Sequence, residues 1–273
     1  MGKLQGKVAL ITGSGRGIGR EVALKLAAEG AAVVINDLDA EPAAEAVQAV
    51  QAAGGTAVAC VGSVTATDFA ERFVKTALDR FGGLDIIINN AGYTWDSVIQ
   101  KMTDEQWSAM LDVHLTAPFR ILRAASGFIR EAAKNEAAQG IENFRKVVNI
   151  SSIAGIGGNA GQLNYSAGKA GILGMTRTLA KEWGRYKVNV NAVAFAVIKT
   201  RLTAAQAGSG ATIDIEGRKI QVGIGGDVKA IESFIPLGRA GTAQEAAGAV
   251  ALFCYPESNY ITGETLVCGG GLR

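Results

Sequence analysis

Lys7-Val8-Ala9-Leu10-Ile11-Thr12-Gly13-Ser14-Gly15-Arg16-Gly17-Ile18-Gly19 is the stretch on which the fold turns. Lys7 to Ile11 reads as a buried strand, and Arg20 to Glu29 as a helix closed by Gly30. The turn between them has the spacing Gly-x-x-x-Gly-x-Gly. Glycines there let the backbone approach a pyrophosphate, whose charge is favoured at the start of the following helix. A glycine-rich turn alone also serves tight turns. Its place between a first strand and a first helix is what points to a dinucleotide. Gly13, Gly15, Arg16, Gly17, Ile18 and Gly19 are therefore expected to hold a cofactor.

Outward from this turn, short β-branched runs alternate with Ala-rich helical stretches. Ala32 to Ile35, Thr56 to Cys60, Leu84 to Ile88, Lys146 to Ile150, Val188 to Val193 and Thr265 to Cys268 read as further strands. Their apolar character is continuous, which implies burial on both faces. Alternating β and α predicts an α/β fold, a Rossmann-type doubly wound parallel sheet of about seven strands with helices on both faces. No repeat or linker divides the chain, so residues 1–273 read as one dinucleotide-binding and catalytic domain. Two stretches break the rhythm. Residues 131–144 read as a polar surface extension, and the Gly- and Ser-rich segment 204–234 as a loop over the substrate.

Asp37 follows the second strand, where a carboxylate can accept hydrogen bonds from adenosine ribose hydroxyls and repel a 2′-phosphate. Arg16 pulls the other way, because a guanidinium can accommodate that phosphate. The fixed carboxylate outweighs the flexible arginine, and NAD is expected ahead of NADP. Asn89-Asn90-Ala91-Gly92 ends the fourth strand, where small residues and amides suit a wall of the cofactor cleft.

Composition narrows the field. With 48% apolar and 19% charged residues, the chain has material for a sizeable core. A net charge of +2 with no basic block argues against nucleic acid. Cys60, Cys254 and Cys268 match no metal spacing and read as reduced thiols. No metal is expected. No signal-peptide pattern or membrane-length apolar run is seen, so a cytoplasmic location is expected.

Tyr165 and Lys169 stand four apart, one turn from each other on a helix face. A nearby ammonium favours tyrosinate, drawing a phenol from its usual pKa of about 10 toward a useful range. Ser152, from a neighbouring strand end, could hold a substrate oxygen beside that phenol. On its own, such a pair is more often a packed tyrosine with a solvated lysine.

Together, the glycine turn, Asn89-Asn90-Ala91-Gly92, Ser152, Tyr165, Lys169, Ile198-Lys199-Thr200 and Tyr260-Ile261-Thr262-Gly263-Glu264 resemble the short-chain dehydrogenase/reductase family over nearly the whole chain. The resemblance implies that Tyr165 is the general acid/base and Ser152 positions the substrate oxygen. It implies that Lys169 lowers the tyrosine pKa and holds the nicotinamide ribose. Ile198 and Thr200 would meet the carboxamide, and Ser63, Val64 and Asn90 the adenosine side. Many members carry a relay asparagine where this chain has His114, its only histidine. An imidazole titrating near pH 6.5 could take over as a relay member. Ala194-Phe195-Ala196 stands in place of the family's Pro-Gly, and Ser63 in place of a common Asp.

Gly92 to Trp107 and Gly161 to Tyr165 look like the 3-oxoacyl-acyl-carrier-protein reductase branch, which usually prefers NADPH. Asp37 with Val113-His114-Leu115 is similar instead to NAD-linked 3-hydroxyacyl-CoA dehydrogenase units. The expectation is an NAD-dependent oxidoreductase interconverting a secondary alcohol and a ketone on an acyl thioester. The alternatives are a hydroxysteroid or other secondary-alcohol dehydrogenase, or an NAD sensor without catalysis. The family implies a homotetramer built on the long helices around 117–130 and 165–183.

Overall fold

Val8 and Leu10 pack into one layer of core and Ala9 and Ile11 into the other, all four buried, so the first strand is apolar throughout. The computed structural model describes residues 2–200, 212–215, 217–221 and 232–272. Its strands are β1 (Val8–Ile11), β2 (Ala32–Ile35), β3 (Thr56–Ala59), β4 (Ile86–Asn89), β5 (Arg145–Ser152), β6 (Val188–Phe195), β7 (Thr212–Ile215), β8 (Arg218–Gln221) and β9 (Thr265–Cys268). The helices longer than one turn are α1 (Gly17–Ala28), α2 (Ala40–Ala52), α3 (Phe69–Phe81), α4 (Asp104–Leu111), α5 (Ala117–Ala138), α6 (Leu163–Trp183) and α7 (Ala243–Leu252).

Seven strands form one parallel sheet, as the alternation predicts, and their order is β3-β2-β1-β4-β5-β6-β9. The chain steps outward from β1 to β3, then returns to the other side of β1 as β4. That reversal opens a crevice at the carboxyl ends of β1 and β4, where ligands of such sheets bind. Helices α1, α2 and α7 cover one face, and α3, α5 and α6 the other. Gly30 closes α1 at φ +95°, donating to the Ala27 carbonyl.

Two local outcomes differ from the sequence expectation, and a third feature lies where none was expected. Residues 131–138 continue α5, and Glu136 receives Arg145 Nη1 and Nη2 at 2.8 and 2.7 Å, so the stretch is tied to the start of β5. Within 204–234, β7 and β8 form an antiparallel hairpin; the remainder of that predicted loop lies outside the described residues up to Glu232. Asp112–Thr116 is a π-helical turn between α4 and α5. Pro118 explains it, because proline has no N–H to give the carbonyl of residue 114 and its ring crowds that carbonyl.

Candidate active site

A cavity of about 1100 Å³ runs along the carboxyl edge of the sheet across the β1–β4 reversal. The glycine turn builds one end. Gly13 has φ +61°, and a Cβ there would lie 2.8 Å from Ala91 Cα. Gly19 abuts the Gly13 carbonyl, where a Cβ would come to 2.2 Å. Gly17 has φ +54° and faces open space, with Thr200 Cγ2 the nearest atom at 4.0 Å. A side chain at Gly17 would occupy the space a pyrophosphate needs, so this turn fits a dinucleotide. Two residues not singled out from the sequence brace it. Asn36 accepts from Gly13 N at 3.1 Å and donates to the Gly62 carbonyl at 2.9 Å. Thr12 Oγ1 accepts from the backbone of Asn90 and Ala91 at 2.9 and 3.0 Å.

Asp37 is buried at the cavity wall, two residues beyond β2. Gly15 stands behind it instead of lining the cavity; a Cβ at Gly15 would lie 2.5 Å from Asp37 Oδ2. Gly15 thus backs the carboxylate that the sequence assigns to the adenosine ribose. Arg16 Nη2 bonds Asp39 Oδ2 at 2.6 Å, and its Nη1 lies 3.5 Å from Asp37 Oδ1. The remaining residues proposed from the sequence, Arg16, Ile18, Ser63, Val64, Asn90, Ala91, Gly92, Ile198 and Thr200 among them, all line this cavity. Phe195 lies within β6, and an isolated bridge from Ile198 to Gly241 fixes the path after it.

The other end gathers Ser152, Tyr165, Lys169 and His114. Ser152 is the last residue of β5, while Tyr165 and Lys169 lie in the first two turns of α6. Lys169 Nζ donates to the Ile150 carbonyl at 2.7 Å and sits 5.7 Å from the Tyr165 ring centroid. Burial pushes the Tyr165 phenol up to about 12, against the pull of its Ser152 hydrogen bond, and the Asp96 charge adds to the rise. Burial likewise pushes Lys169 down to about 7. Burial thus opposes the lowering of the tyrosine by the lysine that the resemblance implies. The desolvation that favours the neutral phenol also weakens the ammonium meant to oppose it.

His114 is buried on the π-helical turn, with Nε2 2.7 Å from the Tyr93 carbonyl oxygen. A carbonyl only accepts, so Nε2 carries the proton and Nδ1 is an acceptor. Nδ1 is buried with no partner among the described residues. Burial, then Lys169, holds His114 well below its usual pKa. The idea of a relay group titrating near pH 6.5 is corrected accordingly: the imidazole is neutral.

The sequence reading also passed over the amides before Tyr165. Asn164 Nδ2 donates to the carbonyls of Trp95 and Gln106, each at 3.0 Å, and Gln162 Nε2 to Asp96 Oδ2 at 2.9 Å. Their signal was the amide-rich run Asn159 to Asn164 directly before a candidate catalytic residue. Thr212, Asp214, Ile215 and Arg218 of the hairpin line the cavity, and Arg218 Nε bonds Glu105 Oε1 of α4 at 2.9 Å. Among the described residues no His/Cys/Asp/Glu group could hold a metal, and no helix is long and apolar enough to cross a membrane.

A doubly wound sheet with a glycine cradle at its reversal and a Ser/Tyr/Lys group along the same edge defines an α/β oxidoreductase of the dinucleotide-binding class. The chain belongs to the short-chain dehydrogenase family, whose model matches residues 7–209. It is 38% identical over 274 residues to a 3-oxoacyl-acyl-carrier-protein reductase of Synechocystis sp., covering 100% of this chain and 99% of the relative. Two reductases of the same name are similar, with 98% of each chain covered in both cases. They come from Vibrio cholerae, 38% identical over 269 residues, and Escherichia coli, 36% identical over 269 residues.

Proposed function

We propose that this protein reduces 3-oxoacyl thioesters to 3-hydroxyacyl thioesters with a nicotinamide cofactor, using the whole chain as one catalytic unit. The observation carrying this reading is the convergence of Ser152, Tyr165 and Lys169 at one end of a cavity whose other end is the glycine cradle. The similarity to proteins named as 3-oxoacyl-acyl-carrier-protein reductases supports the substrate class. When bound, the cofactor supplies or takes the hydride. Ser152 Oγ holds the ketone oxygen, and Tyr165 Oη gives that oxygen its proton as the alcohol forms. Lys169 holds the cofactor ribose and favours the tyrosinate left behind. His114 Nδ1, an acceptor without a partner among the described residues, accepts a hydrogen bond from a water that returns protons toward Lys169.

The cofactor we propose is NAD. Asp37 is fixed at the wall against Gly15, and Arg16 is occupied by Asp39 and Asp37, which supports rejection of a 2′-phosphate. Among the residues assigned a cofactor role, Ile198 and Thr200 meet the carboxamide, while Ser63, Val64 and Asn90 take the adenosine side. The hairpin β7–β8 covers the substrate. A cytoplasmic homotetramer is the assembly we infer, supported by three free cysteines and by Phe119 and Leu163 exposed on α5 and α6.

The experiment is direct. Purified protein is assayed with acetoacetyl thioesters of CoA and of acyl carrier protein, each with NADH and NADPH, and Tyr165→Phe is the blank. Faster reduction of ketosteroids or simple ketones than of both thioesters would overturn the substrate class. A preference for NADPH would overturn the reading of Asp37.

A further inference from the structure

Asn164 stands directly before the acid/base tyrosine, and it is fully buried. Its side chain joins three segments at once. Oδ1 accepts from Tyr165 N at 2.8 Å, while Nδ2 donates to the Trp95 and Gln106 carbonyls, each at 3.0 Å. These partners assign the amide: its oxygen faces an N–H and its two hydrogens face carbonyls, and a flipped amide would meet each with its like. The bond to Tyr165 N also fills a gap at the helix start. The first N–H groups of a helix find no carbonyl within it, and Gln162, the N-cap of α6, makes no side-chain cap. Asn164 supplies an acceptor from inside the first turn instead.

The two carbonyls belong to other parts of the cavity wall. Trp95 lies on the loop after β4, whose Tyr93 and Thr94 line the cavity, and Gln106 lies in α4, whose Glu105 and Ser108 line it too. Asn164 thereby ties the tyrosine end of α6 to the loop and to α4. Lys169, one turn on, is anchored elsewhere. Its Nζ donates to the Ile150 carbonyl at 2.7 Å, and its own carbonyl accepts from Ser151 Oγ at 2.8 Å, both partners being on β5. The pair is therefore held by separate means, Lys169 by the sheet and the start of the helix at Tyr165 by Asn164. Without the amide, the Trp95 carbonyl and the Tyr165 N–H lose these bonds, and the loop and α4 are free to shift against the helix.

We propose that Asn164 is a positioning residue for the proton-transfer step, its amide fixing where the Tyr165 phenol stands relative to the wall built by the loop after β4 and by α4. This rests on the acid/base reading of Tyr165, and the experiment separates the two. Wild type, Asn164→Asp, Asn164→Ser and Tyr165→Phe are compared in single-turnover reduction of acetoacetyl-CoA, with whichever of NADH and NADPH wild type uses faster. The dissociation constant of that cofactor is measured by its fluorescence on the same preparations. Asn164→Asp keeps the shape and the acceptor for Tyr165 N but sets an oxygen against the two carbonyls. Asn164→Ser is uncharged and serves where the Asp variant does not fold.

In both variants single turnover is expected to slow by about ten- to a hundredfold, the scale of a misplacement of about 1 Å. Cofactor affinity is expected to stay within about twofold of wild type, because the glycine cradle and the two anchors of Lys169 are untouched. The slowing in D2O should be larger in the variants than in wild type, as proton transfer becomes the slower step. Single turnover at the wild-type rate, or cofactor affinity lost in proportion to the rate, overturns the proposal and leaves Asn164 as loop packing. Either result beside an inactive Tyr165→Phe leaves the acid/base reading standing. A fully active Tyr165→Phe defeats that reading, and the positioning role with it.

Discussion

The His114 ring meets the Tyr165 ring edge-on, with centroids 5.0 Å apart and planes at 88°. This contact and the 2.7 Å bond to the Tyr93 carbonyl fix the imidazole in one tautomer beside the phenol. The π-helical turn ahead of Pro118 carries it there.

The first prediction concerns its charge. Burial, then Lys169, holds His114 far below its usual pKa, so its folded pKa lies under the unfolded value of about 6.5. Below pH 6.5 the unfolded chain binds a proton that the folded one refuses, and stability falls as pH drops. The slope from this group approaches about 1.4 kcal/mol per pH unit until the folded pKa is reached. As the chain has one histidine, its ring 15N signals are unambiguous. They should show a neutral ring protonated at Nε2 from about pH 8 to pH 5. A midpoint near 6.5 would show that the ring is not sealed from solvent.

Gly92 tests the same corner sterically. A Cβ there would lie 2.3 Å from His114 Cε1 and 2.8 Å from Nδ1. Gly92→Ala must push the ring off the Tyr93 carbonyl or lift the loop. We expect destabilisation of about 1–3 kcal/mol, the usual cost of overpacking, with loss of turnover. Chemical denaturation and initial rates read both. Wild-type behaviour in Gly92→Ala would mean that this corner is loosely packed.

The covered parallel sheet was legible because period-2 alternation failed: Val8 to Ile11 and Ile86 to Ile88 are apolar on both faces. Gly13 to Gly19, Tyr165 and Lys169 were legible because their chemistry depends on local spacing. The bracing of the site was not. Asn36, Gln162 and Asn164 act through partners distant in sequence, so nothing in their spacing shows what they hold. The proton balance of Tyr165 and Lys169 was not legible for a related reason. Spacing gives their proximity, but burial decides their charges, and burial belongs to the folded whole.

Cofactor choice gives a third prediction. Asp37→Ser removes the buried carboxylate and leaves Arg16 with Asp39 alone. The ratio of kcat/KM for NAD(H) to that for NADP(H) should fall at least about tenfold, equivalent to about 1.4 kcal/mol. Asp37→Ser/Asp39→Ser frees the guanidinium and should lower the ratio further. An unchanged ratio in both variants would mean that discrimination lies elsewhere in the cavity.

A fourth prediction tests the end of α5. Arg145 is nearly buried, and its guanidinium meets Glu136 through two bonds. Its hydrogen bonds hold the Glu136 carboxyl below the usual range. The folded pKa is depressed, so the pair's stabilisation is present above the unfolded pKa of about 4.3 and is lost as pH falls through the folded value. Glu136→Gln should cost about 2–3 kcal/mol at neutral pH, because it leaves a buried cation short of its counter-charge. The deficit should shrink below about pH 4. An equal deficit at pH 7 and at pH 3.5 would assign the loss to packing instead.

The last prediction comes from a second buried cation of β5. Lys146 is buried on β5, and its Nζ donates to Asn189 Oδ1, Ser258 Oγ and Asn259 Oδ1 at 2.8, 3.1 and 2.7 Å. These three oxygens are neutral, so the bonds satisfy the ammonium's donors without cancelling its charge. Burial, and then repulsion from Lys7, push Lys146 down to about 8, with Cys254 opposing. For this lysine the folded pKa lies below the unfolded value of about 10.4. Below pH 8 both states are charged and the burial cost is carried in full. Between about 8 and 10.4 the unfolded chain keeps a proton that the folded one releases, so this group's contribution to stability rises with pH, by an amount of order 2 kcal/mol. Lys146→Met removes the titration but strands the oxygens of Asn189 and Asn259, at about 1–3 kcal/mol. Unfolding free energies of wild type and Lys146→Met, measured at matched pH, should therefore diverge in favour of wild type between pH 8 and 10. A constant or narrowing difference would mean that Lys146 keeps its proton throughout, held by its three oxygens more strongly than burial opposes it.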